Sequence, residues 1–188
     1  MLELLAPDQV ARSVSEIDLD ALAVRGTEGL IIDVDNTLIA GTRDVPCNAI
    51  GLDEATRSWL SRAKSMFRLC LLSNSVRGRR ARQLAEELGI PGVSVWGLGR
   101  KPLRGGVWAA LRQIGTAPEH TAMIGDQLLT DVLAGNRCGL YTIWVERISP
   151  REFIGTRANR IIEGWCARRL RRAGMLPPHG QDDETRQV

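Results

Sequence analysis

Lysine is nearly missing from this chain of 188 residues: Lys64 and Lys101 stand alone among 25 basic residues, and arginine carries the rest of the positive charge. Histidine is as scarce. His120 and His179 lie far apart, too few for a histidine-based metal site, and His120, just before an apolar run, reads as a surface turn residue. The four cysteines (Cys47, Cys70, Cys138 and Cys166) form no CxxC pair, which argues against both a disulfide framework and a zinc site. Cys70 sits in an apolar run and reads as a small core residue. Aromatic residues make up 4% of the chain, too few to build a base-stacking surface, so nucleic acid is an unfavoured partner. No apolar run approaches the ~20 residues of a membrane span, and the first residues turn polar too early for a secretory leader. The expected location is cytoplasmic.

What is present is an alternation. Short, non-alternating apolar runs cover 29–35, 68–73, 93–97, 121–126 and 140–145, each bounded by Gly, Asn, Asp or Pro, as suits strands buried on both faces. Helical periodicity fills 52–66, 77–88, 104–114 and 128–137, with Gly89 and Gly115 placed as C-terminal caps. Strand–helix repetition of this kind predicts a three-layer, Rossmann-like α/β fold around a five-stranded parallel sheet. In such sheets ligands gather at the carboxyl ends of the strands.

The strand ends carry the chemistry. The first closes with Asp33 and Asp35, two apart and therefore expected on one side of the strand. Two carboxylates so placed repel unless a cation neutralises them. The fourth closes with Asp126, followed by Asp131. Taken singly, these aspartates could be solvated strand ends or helix caps. Taken together, they deliver four carboxylates to one edge, and an oxygen-rich site suits Mg2+. The second strand ends at Ser73 and Asn74, before a helix whose free N–H groups favour an anion, although Ser-Asn is also a common turn. Lys101 follows the third strand, and a compact ammonium fits a confined phosphate site better than a guanidinium fork.

These four stations, in this order, resemble the haloacid-dehalogenase-like (HAD) superfamily of aspartate-nucleophile phosphatases. Asp33-Val34-Asp35-Asn36-Thr37-Leu38 looks like its first motif, Ser73 its second, Lys101 its third, and Gly125-Asp126 with Asp131 its fourth. The strings DVDNTL and IGDQLLTDVLAGNRCG are similar to the YqeG-type subfamily (class IIIA), related to phosphatidylglycerophosphate phosphatases. Ser75 departs from it, standing where relatives often carry a second Asn. The resemblance implies a phosphomonoesterase in which Asp33 attacks phosphorus to form an aspartyl-phosphate. Asp35 would be the acid and base. Ser73, Asn74 and Lys101 would hold phosphoryl oxygens. Magnesium would be held by Asp33, the backbone carbonyl of Asp35, and Asp126, with Asp131 assisting.

Substrate choice in this superfamily follows from inserted cap domains, and neither the Asp35–Ser73 nor the Ser73–Lys101 span has room for one. An open cleft suits a bulky phosphorylated substrate such as a lipid headgroup, and a second subunit, making a homo-oligomer, could close it. The expected organisation is a phosphatase domain over 1–148 including its lead-in, a basic amphipathic helix over 149–174, and a polar frayed tail over 175–188. Ile154, Ala158, Ile161, Ile162, Trp165 and Cys166 recur at helical spacing among arginines. That pattern fits either packing on the domain or peripheral contact with the inner membrane face. Alternatives left open are a soluble, nucleotide or protein phosphate as substrate, and a non-catalytic receiver-like or scaffold module.

Overall fold

The computed structural model describes residues 2–39, 51–74, 79–94, 102–148 and 157–178. The described residues form six strands: β1 (Gln9–Ala11), β2 (Gly29–Asp33), β3 (Arg68–Ser73), β4 (Gly92–Ser94), β5 (Thr121–Gly125) and β6 (Tyr141–Val145). Six α-helices accompany them among the described residues: α1 (Leu19–Val24), α2 (Glu54–Met66), α3 (Arg79–Leu88), α4 (Arg104–Ile114), α5 (Leu133–Cys138) and α6 (Arg157–Arg172). All strand pairs are parallel, in the order β1-β6-β5-β2-β3-β4.

The five expected strands are there, and a sixth joins them. Three residues of β1 are too few to show a period, so the sequence concealed this edge strand. The carboxylate of Asp8 sets its register by accepting from the Thr142 backbone N–H (2.7 Å) and hydroxyl (3.0 Å).

The chain leaves the central strand β2 towards β3 and β4, then returns on the other side as β5 and β6. The order therefore reverses between β2 and β5, the position where open α/β sheets bind ligands. Helices cover both faces. One core layer gathers Leu30, Ile32 and Ile124 under Leu60 and Leu84, and the other gathers Ile31, Cys70 and Met123 under Val107 and Leu111. These apolar residues alternate along β2 between the two layers, which is why the strand reads as continuously hydrophobic. Gly115 ends α4 with φ 66°, and Gly89 follows α3 with φ 57°, left-handed conformations that suit glycine at a helix end. His120 lies exposed in a turn before β5, where its Nδ1 is 3.0 Å from the Gly26 carbonyl.

Among the described residues, the spans between Asp35, Ser73 and residue 102 hold α2, α3 and their strands, and no inserted domain. No described helix is long and apolar enough to cross a membrane. The C-terminal stripe divides. Cys166 and Leu170 of α6 are buried against Ala6, Leu128 and Val132, whereas Ile162 and Trp165 stay 47% and 51% exposed. The side chains of Ala158 and Ile161 and the whole of Ile154 lie outside the described residues.

Candidate active site

Asp33 is the last residue of β2, and the chain turns immediately after it. Leu38 and Ile39 both donate their N–H to the Val34 carbonyl (3.1 and 3.2 Å), and Asn36 N–H donates to the Ile39 carbonyl (2.7 Å). Asn36 takes φ 67°, a conformation Asn tolerates better than most residues. Asp35 therefore lies beyond the last residue of β2, at the base of this turn. Backbone pairing with β3 stops at Asp33, and Asp35 pairs instead with Ile39 in an isolated bridge.

The turn sorts the two carboxylates. Asp33 is buried, and the Thr37 hydroxyl donates to its Oδ2 at 3.3 Å. Half-buried Asp35 accepts from the Ser73 hydroxyl at 3.4 Å, which links the first-motif turn to the end of β3. Asn74 follows, half-buried, at the same edge. Lys101 lies outside the described residues.

The second acidic pair arrives from β5. Between Asp126 and Asp131 the chain makes one turn of π-helix over Leu128–Val132, and Val132 N–H reaches back five residues to the Gln127 carbonyl (3.2 Å). This turn carries Asp131 over the end of β5, where its Oδ2 accepts from Gln127 N–H at 3.0 Å. Only glycine leaves room for that approach: a Cβ at Gly125 would lie within 2.5 Å of the Asp131 Cβ and Oδ2. Asp126 is anchored through its backbone carbonyl, which accepts from the Trp144 indole N–H at 2.9 Å.

Asp33, Asp126 and Asp131 thus converge. All three are buried, and each offers a carboxylate oxygen within 4.8 Å of the others. Asp35 contributes no carboxylate to this trio. Burial, then the negative charges of Asp33 and Asp131, push the Asp126 carboxyl up to about 8, against the opposing charge of Arg147. Its Oδ1 is buried and accepts no hydrogen bond among the described residues. Three buried carboxylates with such an oxygen are costly without a cation, and all-oxygen donors of this kind suit a hard divalent ion.

Two participants escaped the sequence reading. Arg147, just past β6, places its Nε 2.6 Å from the Asp126 Oδ2, and its Nη2 lies 2.9 Å from the Glu163 Oε2 of α6. One arginine among so many carries no sequence signal. Only the meeting of β6, β5 and α6 singles it out.

Comparison with known proteins shows what the chain is similar to. A family model described as HAD-hydrolase-like matches residues 98–147. The probable phosphatase YqeG of Bacillus subtilis is 34% identical over 171 residues, covering 90% of this chain and 94% of that one. The chloroplastic phosphatidylglycerophosphate phosphatase 1 of Chlamydomonas reinhardtii is 33% identical over 187 residues, covering 93% of this chain and 65% of that one. Among solved structures, a HAD-superfamily hydrolase of subfamily IA from Geobacter sulfurreducens superposes with a TM-score of 0.52 at 14% identity. It covers 66% of this chain and 90% of that one.

Proposed function

The chain belongs to the YqeG family of HAD-like phosphatases, and from that premise we propose that it is a magnesium-dependent phosphomonoesterase acting on a lipid-linked phosphate, with Asp33 as nucleophile. The observation that carries the reading is the convergence of Asp33, Asp126 and Asp131 at the switch point of the sheet.

A carboxylate oxygen of Asp33 attacks phosphorus, the ester P–O bond breaks, and Asp35 gives its proton to the departing oxygen. Water then attacks the aspartyl-phosphate while Asp35 takes a proton back, so phosphate leaves and both side chains return to their starting states. Thr37 orients Asp33 through Oδ2, and before substrate binds the Ser73 hydroxyl donates to Asp35. Ser73, Asn74 and Lys101 are proposed to hold phosphoryl oxygens. Asp33, Asp126 and Asp131, with the Asp35 backbone carbonyl, are proposed to hold Mg2+, which would neutralise phosphoryl charge.

The lipid assignment rests on two features. The Chlamydomonas relative is a phosphatidylglycerophosphate phosphatase by name. On α6, exposed Ile162 and Trp165 stand beside exposed Arg168 and Arg169, an arrangement suited to an anionic bilayer surface. The location this implies is cytoplasmic and peripheral, at the inner membrane face.

The test is phosphate release from p-nitrophenyl phosphate and from phosphatidylglycerophosphate in mixed micelles. Activity is expected only with magnesium, to be abolished in Asp33→Asn, and to favour the lipid. Unimpaired turnover by Asp33→Asn would remove the nucleophile assignment, and equal rates on lipid and soluble phosphomonoesters would remove the substrate assignment.

A further inference from the structure

Arg147 is held in place from three directions. Its neighbour Glu146 donates its backbone N–H to the Ala11 carbonyl of β1 at 3.1 Å. Its other neighbour, Ile148, donates to the Asn36 carbonyl of the first-motif turn, also at 3.1 Å. The main chain on both sides is thus pinned between the sheet edge and the turn that carries Asp35. The guanidinium then bridges two acids from separate elements, Asp126 after β5 (2.6 Å) and Glu163 on α6 (2.9 Å). The side chains of all three are largely shielded from water.

This geometry gives Asp126 two unlike oxygens. Oδ2 forms the ion pair with the Arg147 Nε, while both oxygens are buried and accept no hydrogen bond among the described residues. A carboxylate fixed on one side has a defined direction left for a cation on the other. Glu163 accepts from the Arg147 Nη2 and offsets the charge of the guanidinium, so Arg147 can orient Asp126 without adding a full positive charge to the trio.

We propose that Arg147 is a positioning residue of the cation site, and that α6, through Glu163, sets its hold on Asp126, which makes the C-terminal helix a determinant of divalent-ion affinity. The inference rests on the proposed role of Asp33, Asp126 and Asp131 as cation ligands.

The test is a calorimetric titration of the full-length protein with magnesium chloride, without substrate, alongside thermal melting in EDTA. Arg147→Met is expected to weaken magnesium binding about 10-fold. Glu163→Gln, the milder change, is expected to weaken it several-fold, by loosening the hold on the Arg147 Nη2. In the Arg147→Met background, Glu163→Gln should add nothing, because its effect runs through Arg147. If wild type binds magnesium and both single variants bind equally well, or only lose melting temperature, the positioning role is overturned while the proposed function stands. Additive effects in the double variant would overturn the link through α6. Absence of saturable magnesium binding by wild type would instead overturn the cation reading itself.

Discussion

The indole of Trp144 donates its Nε1–H to the backbone carbonyl of Asp126 at 2.9 Å, tying the end of β5 to its neighbour β6 where the acidic trio assembles. Trp144→Phe keeps the ring and removes the donor, leaving that carbonyl short of a partner. The expected loss is about 1–2 kcal/mol in urea unfolding, with phosphatase activity falling more than the stability change alone explains. Unchanged activity would mean that this tether does not position Asp126.

Gly125 is the tightest point of the site. Gly125→Ala places a methyl against the Asp131 side chain and is expected to cost about 1–3 kcal/mol. Because the carboxylate is what must move, activity should collapse while the far-ultraviolet circular dichroism stays that of the wild type. Retained activity would show that Asp131 is dispensable.

The pH dependence follows from Asp126. Raised from the ordinary 3.8 to about 8, its carboxyl keeps a proton in the cation-free fold that the unfolded chain releases near 3.8. The folded state therefore binds more protons between those values, and stability in EDTA is expected to fall as pH rises through that window. Cation binding requires the charged form, so magnesium affinity should rise over the same window and level off above about 8. Urea midpoints against pH, with and without magnesium, check both slopes.

Asp53 gives an independent control far from the chemistry. It caps α2, accepting from Thr56 N–H at 2.7 Å and from the Thr56 hydroxyl at 2.9 Å. The backbone hydrogen bond from Thr56 is the chief reason its carboxyl lies below its usual value of 3.8. A lowered carboxyl stabilises the fold above 3.8 and stops doing so as pH falls through its folded value. Asp53→Ala should cost about 1 kcal/mol at neutral pH, a difference that fades below pH 3.8. Activity should be unchanged.

Ile162 and Trp165 are exposed, so serine at both positions should alter stability by no more than about 0.5 kcal/mol. Binding to phosphatidylglycerol vesicles in a sedimentation assay should fall by an order of magnitude or more, with hydrolysis of p-nitrophenyl phosphate unaffected. Undiminished vesicle binding would exclude this face of α6 as the membrane contact.

Much of the molecule was legible because it depends on local rules. Continuous apolar runs such as 68–73 fixed the parallel strands, and Gly89 and Gly115 marked helix ends. The acids at the ends of apolar runs mark Asp33 and Asp126 in the sequence. The first apolar run extends to Asp35, but β2 ends at Asp33, and Asp35 pairs with Ile39 across the turn that follows. The edge strand β1 was invisible because three residues carry no period.

The sequence by itself determined the parallel α/β architecture, the order of the motifs and the supply of carboxylates, since these follow from hydrophobic period and residue chemistry along the chain. The tertiary structure alone decided which of those acids meet. It joined Asp33 to Asp126 and Asp131, left Asp35 with Ser73, and selected Arg147 and Glu163 from a crowd of charged residues. Those choices depend on distances between elements far apart in the chain, set by the strand order and by the packing of α6, and no local pattern encodes them.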